Sequence, residues 1–141
     1  MRILKIIKFI TTITFISLTL SQISEASEAI LKELAKEART ADIKFVQFSA
    51  STGEKLFRTE RIHSNGEKIS CMTCHTADPK KEGLTRANKV IKPMAASINP
   101  NRFTDMEKVQ KWFKRNCNDV QERICTPQEK GDFVKYMMSI K

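Results

Sequence analysis

Apolar residues recur at Ile30, Leu31, Leu34, Ala35 and Ala38. That is the spacing of one buried helical face with charged residues opposite, and it predicts a helix over 28–41. A second helix is expected to begin near Gly53 and to carry Leu56, Phe57 and Ile62. Thr104-Asp105-Met106-Glu107 reads as a capping box that opens a helix presenting Met106, Val109, Trp112 and Phe113 on one side and ending near Asn116. The last helix opens at Thr126-Pro127-Gln128-Glu129, a second capping box with proline at the first helical position, and carries Phe133, Val134, Met137 and Ile140. Between them, 64–100 is punctuated by Asn65-Gly66, Pro79, Gly83, Pro93 and Pro100, the signature of loops with short helices. No stretch alternates at period two. The expected class is all-α, a few helices joined by long loops.

The first residues change the picture of what is folded. Arg2, Lys5 and Lys8 precede an apolar run from Phe9 to Leu20, and Ser24 and Ala26 supply small residues before Ser27. These are the regions of a secretory signal peptide over 1–26, cut before Ser27. The run is shorter than the roughly 20 apolar residues of a membrane span, so no stable membrane insertion is expected after cleavage. Export points to the periplasm. The full chain has 141 residues with 25 Lys+Arg against 16 Asp+Glu, a net charge of +9. Without 1–26 it keeps 115 residues and a charge of +7, room for one small domain that needs a staple or a cofactor to be firm. A nucleic-acid partner is not expected of an exported chain, despite the basic balance.

Cys71-Met72-Thr73-Cys74-His75 supplies the cofactor. In Cys-x-x-Cys-His the two thiols add across the vinyl groups of haem, and the adjacent histidine ligates the iron. A thioredoxin-like dithiol would require a βαβ context, which the pattern lacks. Zinc would require four ligands, with only His63, Cys117 and Cys125 left to complete them. One covalent haem c, held by Cys71 and Cys74 with His75 on the iron, is therefore expected, and the middle of the chain can fold around it. The opposite face of the iron decides between electron transfer and binding of small molecules. The residues available for it are Met94, Met106, Met137, Met138, His63, a lysine or Asn116, and it can also stay open. Met94, on the proline-marked loop Lys92-Pro93-Met94, would make an ordinary low-spin electron carrier.

Gly53-Glu54-Lys55-Leu56-Phe57, the haem motif, and a last helix bearing Phe133 and Tyr136 together resemble class I cytochromes c, in which the first and last helices cross near such a glycine and aromatic. Ile91 to Asp105, then Lys111 to Cys117 and Arg123 to Lys130, resemble more specifically the sphaeroides haem protein (SHP) family, over about residues 45–140. The resemblance implies a monohaem cytochrome domain over 45–141, preceded by a helical extension at 27–44. It also implies a high-spin iron held by His75 and, when oxidised, by the side chain of Asn116, which directly precedes a disulfide loop closed by Cys117 and Cys125. The asparagine is expected to leave on reduction and to open a site for oxygen or nitric oxide, with a dihaem cytochrome c as electron donor; an enzymatic version would reduce one of these gases. The resembled family usually carries Gly-Arg ahead of the second cysteine, where this chain has Glu122-Arg123. Lys80, Lys81, Arg86, Lys89 and Lys92, on the loop after the motif, form either a solvated face or a docking rim for an acidic redox partner.

Overall fold

A computed structural model describes residues 25–141, so most of the expected signal peptide lies outside the described residues. Helix α1 spans 25–41 and buries Ser27, Ile30, Leu31, Leu34 and Ala38 on one stripe. The extension does not stand apart: Ile30, Leu31 and Leu34 join one core cluster with Phe57, Met94, Phe103, Val109, Phe133, Val134, Tyr136 and Met137. Polar contacts fix its outer edge, where Glu37 accepts from Gln110 Nε2 at 2.6 Å and Ser27 Oγ donates to the Arg102 carbonyl at 3.4 Å.

Helix α2, Ala50–Arg58, starts under a Ser49 cap whose hydroxyl accepts from the Thr52 N–H. It is shorter at its end than the apolar pattern suggested. Thr59 turns back onto the Lys55 carbonyl, and Ile62, expected on this helix, lies instead in a strand and is 73 % exposed. Strand β1 (Arg61–Ile62) pairs antiparallel with β2 (Lys68–Ile69) across the Asn65-Gly66 turn, where Gly66 has φ of 82°. After the short helix α3, Met72–His75, a second antiparallel hairpin joins β3 (Gly83–Leu84) to β4 (Val90–Ile91). These hairpins were not expected, because strands two residues long cannot display an alternating pattern.

Helix α4, Met106–Gln121, departs from expectation at both ends. Its cap is Asp105, whose carboxylate accepts from the Lys108 N–H at 3.1 Å, while the Thr104 hydroxyl donates to the Asn101 carbonyl. It also runs past Asn116, because Cys117 and Val120 extend the covered ladder begun by Val109 and Phe113. Trp112, expected on that side, is 47 % exposed and lies under the Arg115 guanidinium. The helix stops at Glu122, which takes the left-handed conformation (φ 51°, ψ 27°) and returns its N–H to Asn118. The turn thus keeps the shape that glycine favours, although glutamate occupies it.

Helix α5, Pro127–Ser139, forms with both bonds of the Thr126/Glu129 capping box and Pro127 in its first turn. Gln121 bears the buried carbonyl oxygen that lacks a hydrogen-bond partner among the described residues. Helices α2 and α5 cross at Gly53, where a Cβ would sit 2.0 Å from the Asp132 carbonyl oxygen. The backbones therefore touch, and Phe57 stacks obliquely between Phe133 and Tyr136.

Candidate haem site and relatives

The haem motif is built as one helical turn. The His75 N–H donates to the Cys71 carbonyl at 3.0 Å, and the Ser70 N–H is capped by the Thr73 hydroxyl at 3.0 Å. This spaces the Cys71 and Cys74 thiols, both free and half-buried, one turn apart with His75 next to them. Burial raises the Cys71 thiol to about 11, so the group is held as a thiol in apolar surroundings rather than as a redox-active thiolate. Strand β3 lies directly behind the motif: a Cβ on Gly83 would fall 1.9 Å from the Cys74 carbonyl oxygen and 3.0 Å from His75 Cα. Only glycine permits that approach, a constraint carried by a residue that the sequence marked merely as a turn.

His75 is half-buried, and its ring nitrogens have no hydrogen-bond partner among the described residues. Burial, assisted by the Arg102 guanidinium, lowers its pKa to about 4. The imidazole is neutral and offers a free lone pair to a metal. Two thiols and an unpartnered neutral imidazole on one turn fit haem c, whose two thioether bonds and one axial bond match that donor set. Among the described residues no three His, Cys, Asp or Glu side chains gather as metal ligands, so the zinc alternative has no cluster to use.

The other expected site residues are placed as follows. Met94 is buried in the main core cluster, and its N–H and that of Ala95 both donate to the Pro79 carbonyl. His63 is engaged elsewhere, its Nε2 lying 3.1 Å from the Val120 carbonyl. Asn116 lies half-buried inside α4, and its carboxamide has no hydrogen-bond partner among the described residues. Cys117 and Cys125 are joined, S–S 1.98 Å, so the residue after Asn116 is tied to the start of α5. Arg102, which sequence reasoning missed, is partly buried with its guanidinium on the Lys92 and Pro93 carbonyls at 2.6 and 3.0 Å. Of the basic run, Lys80, Lys81, Lys89 and Lys92 are exposed, while Arg86 pairs with Glu67 at 3.2 Å and links the two hairpins.

A helical chain whose helices cross on a glycine and which carries Cys-x-x-Cys-His on a half-buried turn has the architecture of a c-type cytochrome. Comparison with known proteins gives the family. Residues 43–137 match the family described as "Domain of unknown function (DUF1924)". The chain is 44 % identical over 88 residues to cytochrome c-type protein SHP of Cereibacter sphaeroides, covering 62 % of this chain and 68 % of that protein. It is 32 % identical over 103 residues to cytochrome c'' of Methylophilus methylotrophus, covering 72 % of each. Among solved structures, oxidised cytochrome c'' superposes with a TM-score of 0.75 at 29 % identity, covering 83 % of this chain and 96 % of that one. Oxidised SHP, described as an oxygen-binding cytochrome c, superposes with a TM-score of 0.69 at 36 % identity, covering 79 % and 94 %. The chain belongs to the SHP family of monohaem c-type cytochromes.

Proposed function

We propose that this protein is an exported, periplasmic cytochrome that receives one electron at a time and, once reduced, binds a diatomic molecule at a position vacated by Asn116. Haem c, when bound, would supply a one-electron iron couple able to take oxygen or nitric oxide. Cys71 and Cys74 would tether it, and His75 would hold the iron from the same turn. Asn116 would offer its amide oxygen to the oxidised iron. That oxygen is a neutral, weak donor, adequate for the more Lewis-acidic ferric state and poorly competitive on the ferrous one, so the residue acts as a redox-gated lid. The observation that supports this most directly is the half-buried, unpartnered carboxamide of Asn116 beside the Cys117–Cys125 tie. A half-buried amide that no protein group engages keeps its oxygen available to a ligand-accepting centre. The oxygen binding of the SHP relative points the same way. Among the described residues no helix is long and apolar enough to cross a membrane. The electron donor is proposed to be a dihaem cytochrome c.

Spectra of the purified protein test this reading. A high-spin ferrous form that binds carbon monoxide readily is expected; a low-spin ferrous form inert to carbon monoxide would sink it. Asn116→Ala should keep the haem and let azide bind the oxidised protein faster, whereas Met94→Ala should leave the ferric spectrum nearly unchanged. Conversion of a low-spin protein to high-spin by Met94→Ala would make Met94 the ligand.

A further inference from the structure

The tip of the β1–β2 hairpin grips the end of the helix that carries Asn116. His63 Nε2 lies 3.1 Å from the Val120 carbonyl, a group at a helix end that has no intrahelical donor. The Ser64 N–H donates to Glu122 Oε2 at 3.0 Å, and the Ser64 hydroxyl donates to Oε1 at 2.5 Å, so the carboxylate is held at both oxygens. Those two bonds keep the Glu122 carboxyl below its usual range. Glu122 is itself in the left-handed region (φ 51°), which side chains other than glycine resist. The same hairpin leads within two residues from Ile69 into Cys71. Val120 follows Asn116 by one helical turn, on the same helix face. A single polar clamp therefore connects the segment holding His75 with the segment holding Asn116.

We propose that Ser64, Glu122 and His63 are positioning residues for Asn116, fixing how firmly its carboxamide is held on the oxidised iron and so tuning the lid. This rests on the reading of Asn116 as the oxidised-state ligand. Ser64 and Glu122 are exposed, and exposed polar pairs add little to global stability, so loss of the clamp can be read at the iron without unfolding the protein. The sign follows from the states involved. A ligand that binds only the oxidised iron lowers the midpoint potential, so a weaker hold raises it and speeds entry of exogenous ligands.

The test compares the haem-loaded parent with Ser64→Ala, Glu122→Gly and Glu122→Gln, measuring the midpoint potential and the rate of azide binding to the oxidised protein. Glu122→Gly keeps the left-handed turn while removing the carboxylate; Glu122→Gln keeps an acceptor for the Ser64 N–H and a partner for its hydroxyl. Ser64→Ala and Glu122→Gly should each bind azide up to about tenfold faster. A tenfold weaker hold corresponds to a midpoint raised by about 59 mV. Glu122→Gln should stay near the parent, and the Glu122→Gly effect should vanish in an Asn116→Ala background. Parent-like midpoint and azide rate in both disruptive variants, whatever their melting temperatures, overturn the positioning role. If Asn116→Ala alters both quantities and the clamp variants alter neither, only the clamp falls. If Asn116→Ala alters neither, the ligand reading falls and the clamp with it.

Discussion

The backbone contact at Gly53 makes the sharpest stability prediction. In Gly53→Ala the new Cβ would lie 2.0 Å from the Asp132 carbonyl oxygen, 2.4 Å from its carbon and 2.9 Å from the Phe133 nitrogen, all backbone atoms. Ordinary contact begins at 3.4 Å, so α2 and α5 must separate locally by about 1.4 Å, and no rotamer change can absorb it. A gap of even 0.5–1 Å forfeits roughly a quarter to a half of the dispersion energy of the atoms that face it. The atoms here include Phe57 with its partners Phe133 and Tyr136, at centroid distances of 6.2 and 6.0 Å. The same movement pulls the Ser49 N–H from the buried Asp132 carboxylate, now 2.7 Å away. Overpacking of about 1–3 kcal/mol and a lost hydrogen bond to a charged group of about 1.5–3 kcal/mol give a loss of about 2.5–6 kcal/mol. At about 4 °C per kcal/mol for a domain of this size, the haem-loaded protein should melt about 10–24 °C lower, followed by circular dichroism. Gly66→Ala is the control. Gly66 also needs its conformation (φ 82°), yet nothing lies within 4 Å of its Cβ position, so the loss should be about 1–2 kcal/mol. A Gly53→Ala protein that melts no lower than Gly66→Ala refutes the argument from helix contact.

Further outcomes follow from the same interfaces. Desolvation raises the pKa of the buried Asp132 carboxyl, with the Ser49 N–H and Gln128 amide opposing it. The folded protein then binds this proton more tightly than the unfolded chain, so the charged form is a burden above the raised pKa that is relieved as pH falls toward 3.8. Asp132→Asn keeps an acceptor for both donors, and denaturant titrations should find it as stable as the parent or more so at pH 7, with the parent gaining on it as the pH drops; the opposite trend refutes the sign. Replacing Cys117 and Cys125 together by serine frees a loop of sequence separation 8, for which chain entropy predicts a loss of about 2.5 kcal/mol in denaturant titrations. A loss below about 1 kcal/mol would mean that the helix contacts around Cys117 already restrain that turn.

What could be read from the chain divides by how local the cause is. Helices α1 and α5 were legible because periodicity and caps lie within a few neighbouring residues. The Cys71–His75 turn was legible because its chemistry is set by adjacent residues. Where two neighbours compete, the reading slips: Thr104 and Asp105 can each cap, and the Lys108 N–H chooses Asp105. Asn116 looked like a helix end because asparagine commonly ends helices, yet the ladder through Cys117 and Val120 carries α4 onward. Ile62 looked helical because its spacing suited one face, and only the pairing with Lys68 removes it.

Contacts that join distant segments leave no local mark. The sequence showed that something must cover Ile30, Leu31 and Leu34, but not that the covering is the core containing Phe57 and Met137. Ser64 and Glu122 are 58 positions apart, and neither residue type suggests the other. Glu122 stands where the family that the sequence resembles usually carries glycine, the residue a left-handed helix end favours. The left-handed backbone is kept, and the carboxylate that glycine lacks reaches Ser64. The Glu122 carboxylate thus adds a tie between the haem-motif hairpin and the Asn116 helix that a glycine at this position could not make. If the clamp tunes the lid, this chain should hold its asparagine on oxidised iron more tightly than its own Glu122→Gly variant does, a difference its local sequence could not have announced.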